Sequence, residues 1–183
     1  MVYSPNAEHR ERFAREMSDT LSSNVEAVDS AEAVVHESDF VQAATAAWDP
    51  VFDGSWLRAG MYVASIGGAD ASNKRREIDD TTIERADLYV VHSKEVAQLD
   101  RSPDIWEASE KGIKAWDAIR EIQELVVGSC PGRTSADELT VFNNNTGAGI
   151  QFAAVGAAVV SKAKELGLGR EIPTEWFLEK ESP

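Results

Sequence analysis

The feature that most constrains this 183-residue chain is a regular alternation, over its first two-thirds, of short β-prone runs with helical ones. Residues 2–4 read as a strand stopped by Pro5, and residues 7–21 as a helix with Phe13, Met17 and Leu21 on one core-facing stripe. Residues 24–28 read as a second short strand. Ser30 opens a helix through Ala31, Ala33 and Val34. Residues 39–45 are a third strand, apolar enough for burial on both faces. Residues 61–66 are a fourth, closed by Gly67 and Gly68. Asp79 and Asp80 cap a short helix, a role that Asn fills as well as Asp, and residues 88–91 are a fifth strand. This alternation predicts right-handed crossovers and a mostly parallel sheet covered by helices, the doubly wound α/β class.

The last third is patterned differently. Residues 115–127 predict an amphipathic helix with Trp116, Ile119, Ile122 and Leu125 or Val126 inward. Residues 128–132 are a turn cluster, residues 139–142 a strand, and residues 147–166 a long Ala/Val-rich helix ended by Gly167 and Gly169. Residues 172–183 carry little pattern. With neither internal repeat nor low-complexity linker, a single domain is the simplest organisation.

Charge and cysteine count exclude several functions. The chain carries 32 acidic against 18 basic residues, net −14, whereas nucleic acid and anionic membranes both require basic patches. Cys130 is the sole cysteine, so an intrachain disulfide and a Cys-rich zinc site are excluded. His9, His36 and His92 have no ligand-like spacing, and a metal site is not expected. No apolar stretch approaches the ~20 residues of a membrane span, and the start lacks the features of a signal peptide. A cytoplasmic protein is expected.

The densest polar constellation runs from Gly67 to Lys74, just after a predicted parallel strand, where ligands bind in open α/β sheets. Asp70 and Lys74 there suit a general acid or base beside a cation holding a substrate or cofactor oxygen; a polar turn with a surface ion pair explains them equally. Ala43, Ala44, Thr45 and Ala46 end the third strand with side chains small enough for a flat ring to approach, or simply pack there. Asn143, Asn144 and Asn145 precede a helix N-terminus that offers N–H groups to an anion, or serve as turn and cap residues. Gly147 and Gly149 do not make a dinucleotide fingerprint, because Phe152 stands at the third glycine position. Cys130 reads as a bystander thiol, and His92 is assigned no role.

Taken in order, five blocks resemble the second half of the ornithine cyclodeaminase/mu-crystallin family: VYSPNAEHRERFA at 2–14, AATA at 43–46 with Pro50, IGGADASNKRREID at 66–79, GSCPGR at 128–133 and LTVFNNNTGAGIQFAA at 139–154. The resemblance implies a Rossmann-type domain holding NAD or NADP, with the family favouring NAD. It implies that Asp70 is the catalytic aspartate and that Lys74 lies near the cofactor. Ala44, Thr45 and Ala46 would touch the dinucleotide, Ser4 would read the adenosine ribose, and Asn145 would sit near the nicotinamide. The implied reaction converts L-ornithine to L-proline and ammonia through hydride transfer and an imine. Alternatives are an amino-acid dehydrogenase or cyclic imine reductase of the same family, and a non-catalytic fragment or a mu-crystallin-like binding protein. The implied partner is a small amino acid or imine, and the full-length family is typically a homodimer.

Two departures from the family shape the expectation. Its first Rossmann strand and glycine-rich loop would precede Val2, as would the whole substrate and dimerisation domain, so the chain reads as truncated and incomplete. The isolated chain is then expected to bind NAD(P) no better than millimolar, lacking the helix N-terminus that holds the pyrophosphate. Ser4, Pro5 and Asn6 also lack the acidic residue that favours NAD, and Arg10 or Arg12 would admit a 2′-phosphate.

Overall fold

The computed structural model describes residues 1–67, 71–144 and 149–178. The chain divides into two units, Met1–Thr146 and Gly147–Pro183. At the start of the first unit, Asn6 caps helix α1 (Ala7–Leu21) by accepting the His9 N–H at 3.0 Å. The strands expected at 2–4 and 24–28 reduce to one parallel bridge between Val2 and Ala27, with Val2 N–H donating to the Glu26 carbonyl at 2.8 Å. The inward face of α1 is also not the expected one. Ala14 is buried and Ser18 bonds the main chain of Val25, whereas Phe13 and Leu21 are 48% and 62% exposed. A single bridge gives α1 too little surface to cover a stripe of large side chains.

Helix α2 (Ala31–His36), capped by Ser30, leads into strand β1 (Phe40–Ala43), and β2 (Tyr62–Ser65) follows a loop containing one 3-10 turn, Gly54–Trp56. Asp79 caps α3 (Asp80–Arg85), and then come β3 (Leu88–Val91), α4 (Lys94–Leu99), α5 (Pro103–Glu110), β4 (Ile119–Glu121), α6 (Ile122–Val126) and β5 (Thr140–Asn143). The five strands form one sheet in the order β1-β2-β5-β3-β4, and every pairing is parallel. β2, β3 and β5 are buried along most of their length, as interior parallel strands are. β1 is an edge strand and alternates instead: Val41 and Ala43 are buried, Phe40 is 54% exposed and stacks on Tyr62. The burial on both faces expected for that strand does not occur.

The core joins Val41, Val63, Tyr89, Ile119 and Val141 of the sheet to Val35, Ile83, Ala97 and Ile105 of the helices. The single helix expected over 115–127 is a 3-10 turn, Trp116–Ala118, then β4, then α6. Ile119 is fully buried in register with Tyr89, and a capping box between Glu121 and Glu124 starts the helix only at Ile122. In the second unit, α7 (Gly149–Leu166) ends at Gly167, whose φ of 64° suits glycine, with Leu168 N–H closing on Ala163 at 2.8 Å. No helix among the described residues is long and apolar enough to cross a membrane.

Candidate active site at the carboxyl edge of the sheet

All strands being parallel, their carboxyl ends lie on one edge, and Ala43, Ser65, Asn143, Val91 and Glu121 mark it by register. Ala44, Thr45 and Ala46 continue from β1 as an exposed loop, and Ile66 and Gly67 continue from β2. The two loops are joined through Glu77, which is 2% exposed. Its Oε1 accepts the Thr45 N–H and, at 2.8 Å, the Thr45 hydroxyl. Its Oε2 accepts the Ser65 hydroxyl at 3.0 Å and the N–H groups of Ile66 and Gly67 at 2.9 and 2.8 Å. Burial alone would raise the Glu77 pKa, but the donors from Gly67, Thr45 and Ser65 outweigh it and hold the group below the ordinary carboxylate value.

The contact continues along both segments. The Arg75 guanidinium lies 5.7 Å from the Trp48 ring centre, Val51 N–H donates to the Glu77 carbonyl at 3.0 Å, and Gly54 N–H donates to Asp79 at 3.0 Å. Asp79 also accepts the Thr82 N–H and hydroxyl on its other oxygen. Both oxygens are therefore acceptors, and Asn would set an NH2 against a donor. The expectation that Asn fills this cap as well as Asp does not hold in this geometry.

Behind the edge lies a second buried carboxylate. Asp104 receives the Asn143 side-chain N–H at 2.9 Å and the Arg76 Nε–H at 3.2 Å. Arg76 also bonds Asp80 at 2.7 Å, and Asp80 bonds Lys111 at 2.8 Å. Burial pushes the Asp104 pKa up to about 6, although Arg76 and Asn143 act against it. Neither Glu77 nor Asp104 stood out in the sequence, where single acidic residues read as surface. For Asp104 the sequence does carry a signal: Ser102, Pro103 and Asp104 make a helix start.

Asp70 and Asn145 lie outside the described residues. The described residues on either side of Asp70 are each held, Gly67 by Glu77 and Ala71 by an N–H bond to the Asp100 carbonyl at 2.7 Å. Lys74 is exposed and makes a loose ion pair with Glu107 at 3.9 Å. Ser4 lines a separate cavity of about 340 Å3 with Arg10, Arg12 and Phe13, which includes neither Thr45 nor Lys74. Arg10 is occupied there: it pairs with Asp29 at 2.5 Å, donates to the Ser4 carbonyl at 3.2 Å and covers the Tyr3 ring. Arg12 faces Glu16 at 3.9 Å. Neither arginine is without an acidic neighbour.

A five-stranded parallel sheet with crossover helices and exposed loops at its carboxyl edge defines a Rossmann-like α/β protein. The chain belongs to the ornithine cyclodeaminase/mu-crystallin family, whose model matches residues 1–166. An uncharacterized cyclodeaminase of Sinorhizobium fredii is 34% identical over 146 residues, 79% of this chain and 43% of that protein. The structure of Thermococcus litoralis Delta(1)-pyrroline-2-carboxylate reductase in complex with NADH and L-proline matches with a TM-score of 0.84 at 33% identity, over 91% of this chain and 50% of that one. The iminosuccinate reductase of Paracoccus denitrificans in complex with NAD+ matches at 0.77 and 28% identity, over 92% and 50%. The chain thus spans about half the length of the relatives it matches.

Proposed function

We propose that this chain is the dinucleotide-binding part of an NAD-dependent enzyme that reduces a small imine to an amino acid. The observation that carries the reading is the similarity to a reductase solved with NADH and L-proline. The residues fit such a cofactor: a loop of small side chains, Ala44 to Ala46, is exposed at the carboxyl edge with its backbone fixed by Glu77. When bound, the nicotinamide supplies the hydride that the imine carbon takes up. In this reading Asp70 gives the imine nitrogen its proton and, in the reverse direction, takes one from the amine. Lys74 and Asn145 bind the cofactor, and Ser4 meets its adenosine end. The engagement of Arg10 by Asp29 supports NAD over NADP, because a 2′-phosphate would have to displace that carboxylate.

Conversion of L-ornithine to L-proline and ammonia is the second reading, supported by the cyclodeaminase among the relatives. It uses the same groups, with the substrate's side-chain amine attacking the imine before the hydride returns. A homodimer in the cytoplasm completes the proposal on the strength of the family resemblance.

The test joins the chain to the part of the Thermococcus litoralis enzyme's length that it does not span, and follows NADH consumption with Delta(1)-pyrroline-2-carboxylate. Asp70→Asn is expected to lower turnover by ~10²–10⁴-fold with NADH affinity nearly unchanged. Full activity in that variant would show that another group moves the proton. Ammonia release from L-ornithine without net NADH consumption would favour the second reading.

A further inference from the structure

Glu77 is buried at the carboxyl edge of the sheet. A buried carboxylate is costly unless its charge is compensated. Among the described residues, Glu77 makes no ion pair, and its charge is met instead by five N–H and O–H donors. Those donors belong to the loop after β1 and to the end of the adjacent strand β2 with the loop that leaves it. The main-chain ladder ends nearby, with Ile66 N–H on the Ala43 carbonyl at 3.0 Å. Beyond that point the Thr45 and Gly67 segments are held together by Glu77.

Gly67 fits the same arrangement. A Cβ there would meet Glu77 Cδ at 2.8 Å and its oxygens at 3.0 and 3.1 Å. The absence of a side chain is what lets the carboxylate reach the Gly67 N–H. The Thr45 hydroxyl is also spent, since it donates to Glu77 while accepting the Ala47 N–H at 3.2 Å. The N–H and the O–H of Thr45 are therefore both donated to Glu77, and neither is left to donate to a ligand.

From this geometry we infer that Glu77 is a positioning residue, which fixes the cofactor loop Ala44–Thr45–Ala46 against the segment leading to Asp70 and so sets cofactor affinity without touching the cofactor. The inference rests on the proposed NAD-dependent function. It requires a group with two acceptor atoms: in Glu77→Gln the amide nitrogen must oppose either Thr45 or the Ile66 and Gly67 pair.

The test uses the full chain and its Glu77→Gln, Glu77→Ala, Gly67→Ala and Gly67→Ala/Glu77→Gln variants. NADH affinity is measured by titration through and beyond the millimolar range in which the unmodified chain is expected to bind, and amide exchange is followed at Thr45, Ile66, Gly67 and the strand β3. In Glu77→Gln, exchange is expected to rise at Thr45 or at Ile66 and Gly67 while β3 stays protected, and NADH binding to weaken about tenfold or more. Gly67→Ala should reproduce the loss, and the double variant should lose no more than the worse single, because both act through one contact. If removal of the charge affects only the fold, all variants will melt earlier but bind NADH within twofold of the unmodified chain below their melting temperatures. That result overturns the inference alone. An unmodified chain that shows no response to NADH overturns the functional reading, and this inference with it.

Discussion

Asp104 is 5% exposed, and the residues around it decide when it carries charge. Its pKa of about 6 stands above the ordinary 3.8, because burial penalises the ionised form more than Arg76 and Asn143 stabilise it. A raised folded pKa favours folding fully below the unfolded value, and that contribution disappears as pH rises through the folded one. The stability of the chain relative to Asp104→Asn should therefore shift in favour of Asp104 as pH falls from 8 to 5. The full effect, at most about 3 kcal/mol, is reached only below the unfolded value, and about half of it is expected between pH 8 and 5 in urea unfolding. A difference that stays flat with pH would show that Asp104 keeps an ordinary pKa. At this scale the sequence shows what a residue is but not who faces it. Thr45 and Asp70 are candidates in the sequence because each follows the end of a predicted strand, and a family motif surrounds Asp70. Glu77 and Asp104 gain their character from donors contributed by segments 10 to 39 residues away, which no local pattern announces.

The elements best read from sequence are those whose boundaries carry their own chemistry. α1 begins at the Asn6 cap and matches the expected span, as does β3, an apolar run between Asp87 and His92. Residues 115–127 misled because their apolar spacing fits a helix, while Ile119 has a better place beside Tyr89 in the sheet. Helices α4 and α5 were not expected, though Ser93 and the Ser102–Pro103 pair mark their starts. The corrected boundary can be tested at Ile122. It is the first residue of α6, follows Glu121 in an extended conformation (φ −101°, ψ 146°), and is 37% exposed. Proline fits the first helical position and an extended predecessor. Ile122→Pro is expected to change stability by less than about 1 kcal/mol, whereas proline inside one continuous helix costs about 3 kcal/mol or more. Thermal melting separates the two, and a large loss would restore the single helix.

For the whole molecule, the fold class was legible because parallel pairing and helix alternation impose one another. The edge that carries the candidate site was legible with it, since a parallel sheet gathers its strand ends on one edge. What the sequence did not reveal was how that edge is held: a carboxylate joining two loops, a cation–π contact beside it, and a charged cluster behind. The chain covers about half the length of its matched relatives, so its cofactor chemistry is best tested without depending on turnover. NADH titrated into the millimolar range against the isotope-labelled chain provides that test, followed through its backbone amide resonances. The largest shifts are expected at Thr45, Ile66, Gly67 and Asn144. Little change is expected along the groove between α1 and the 24–27 segment, lined by Glu11, Ala14 and Val25. Shifts centred on that groove, or no shifts at any concentration, would contradict the claim that the carboxyl edge is a dinucleotide site.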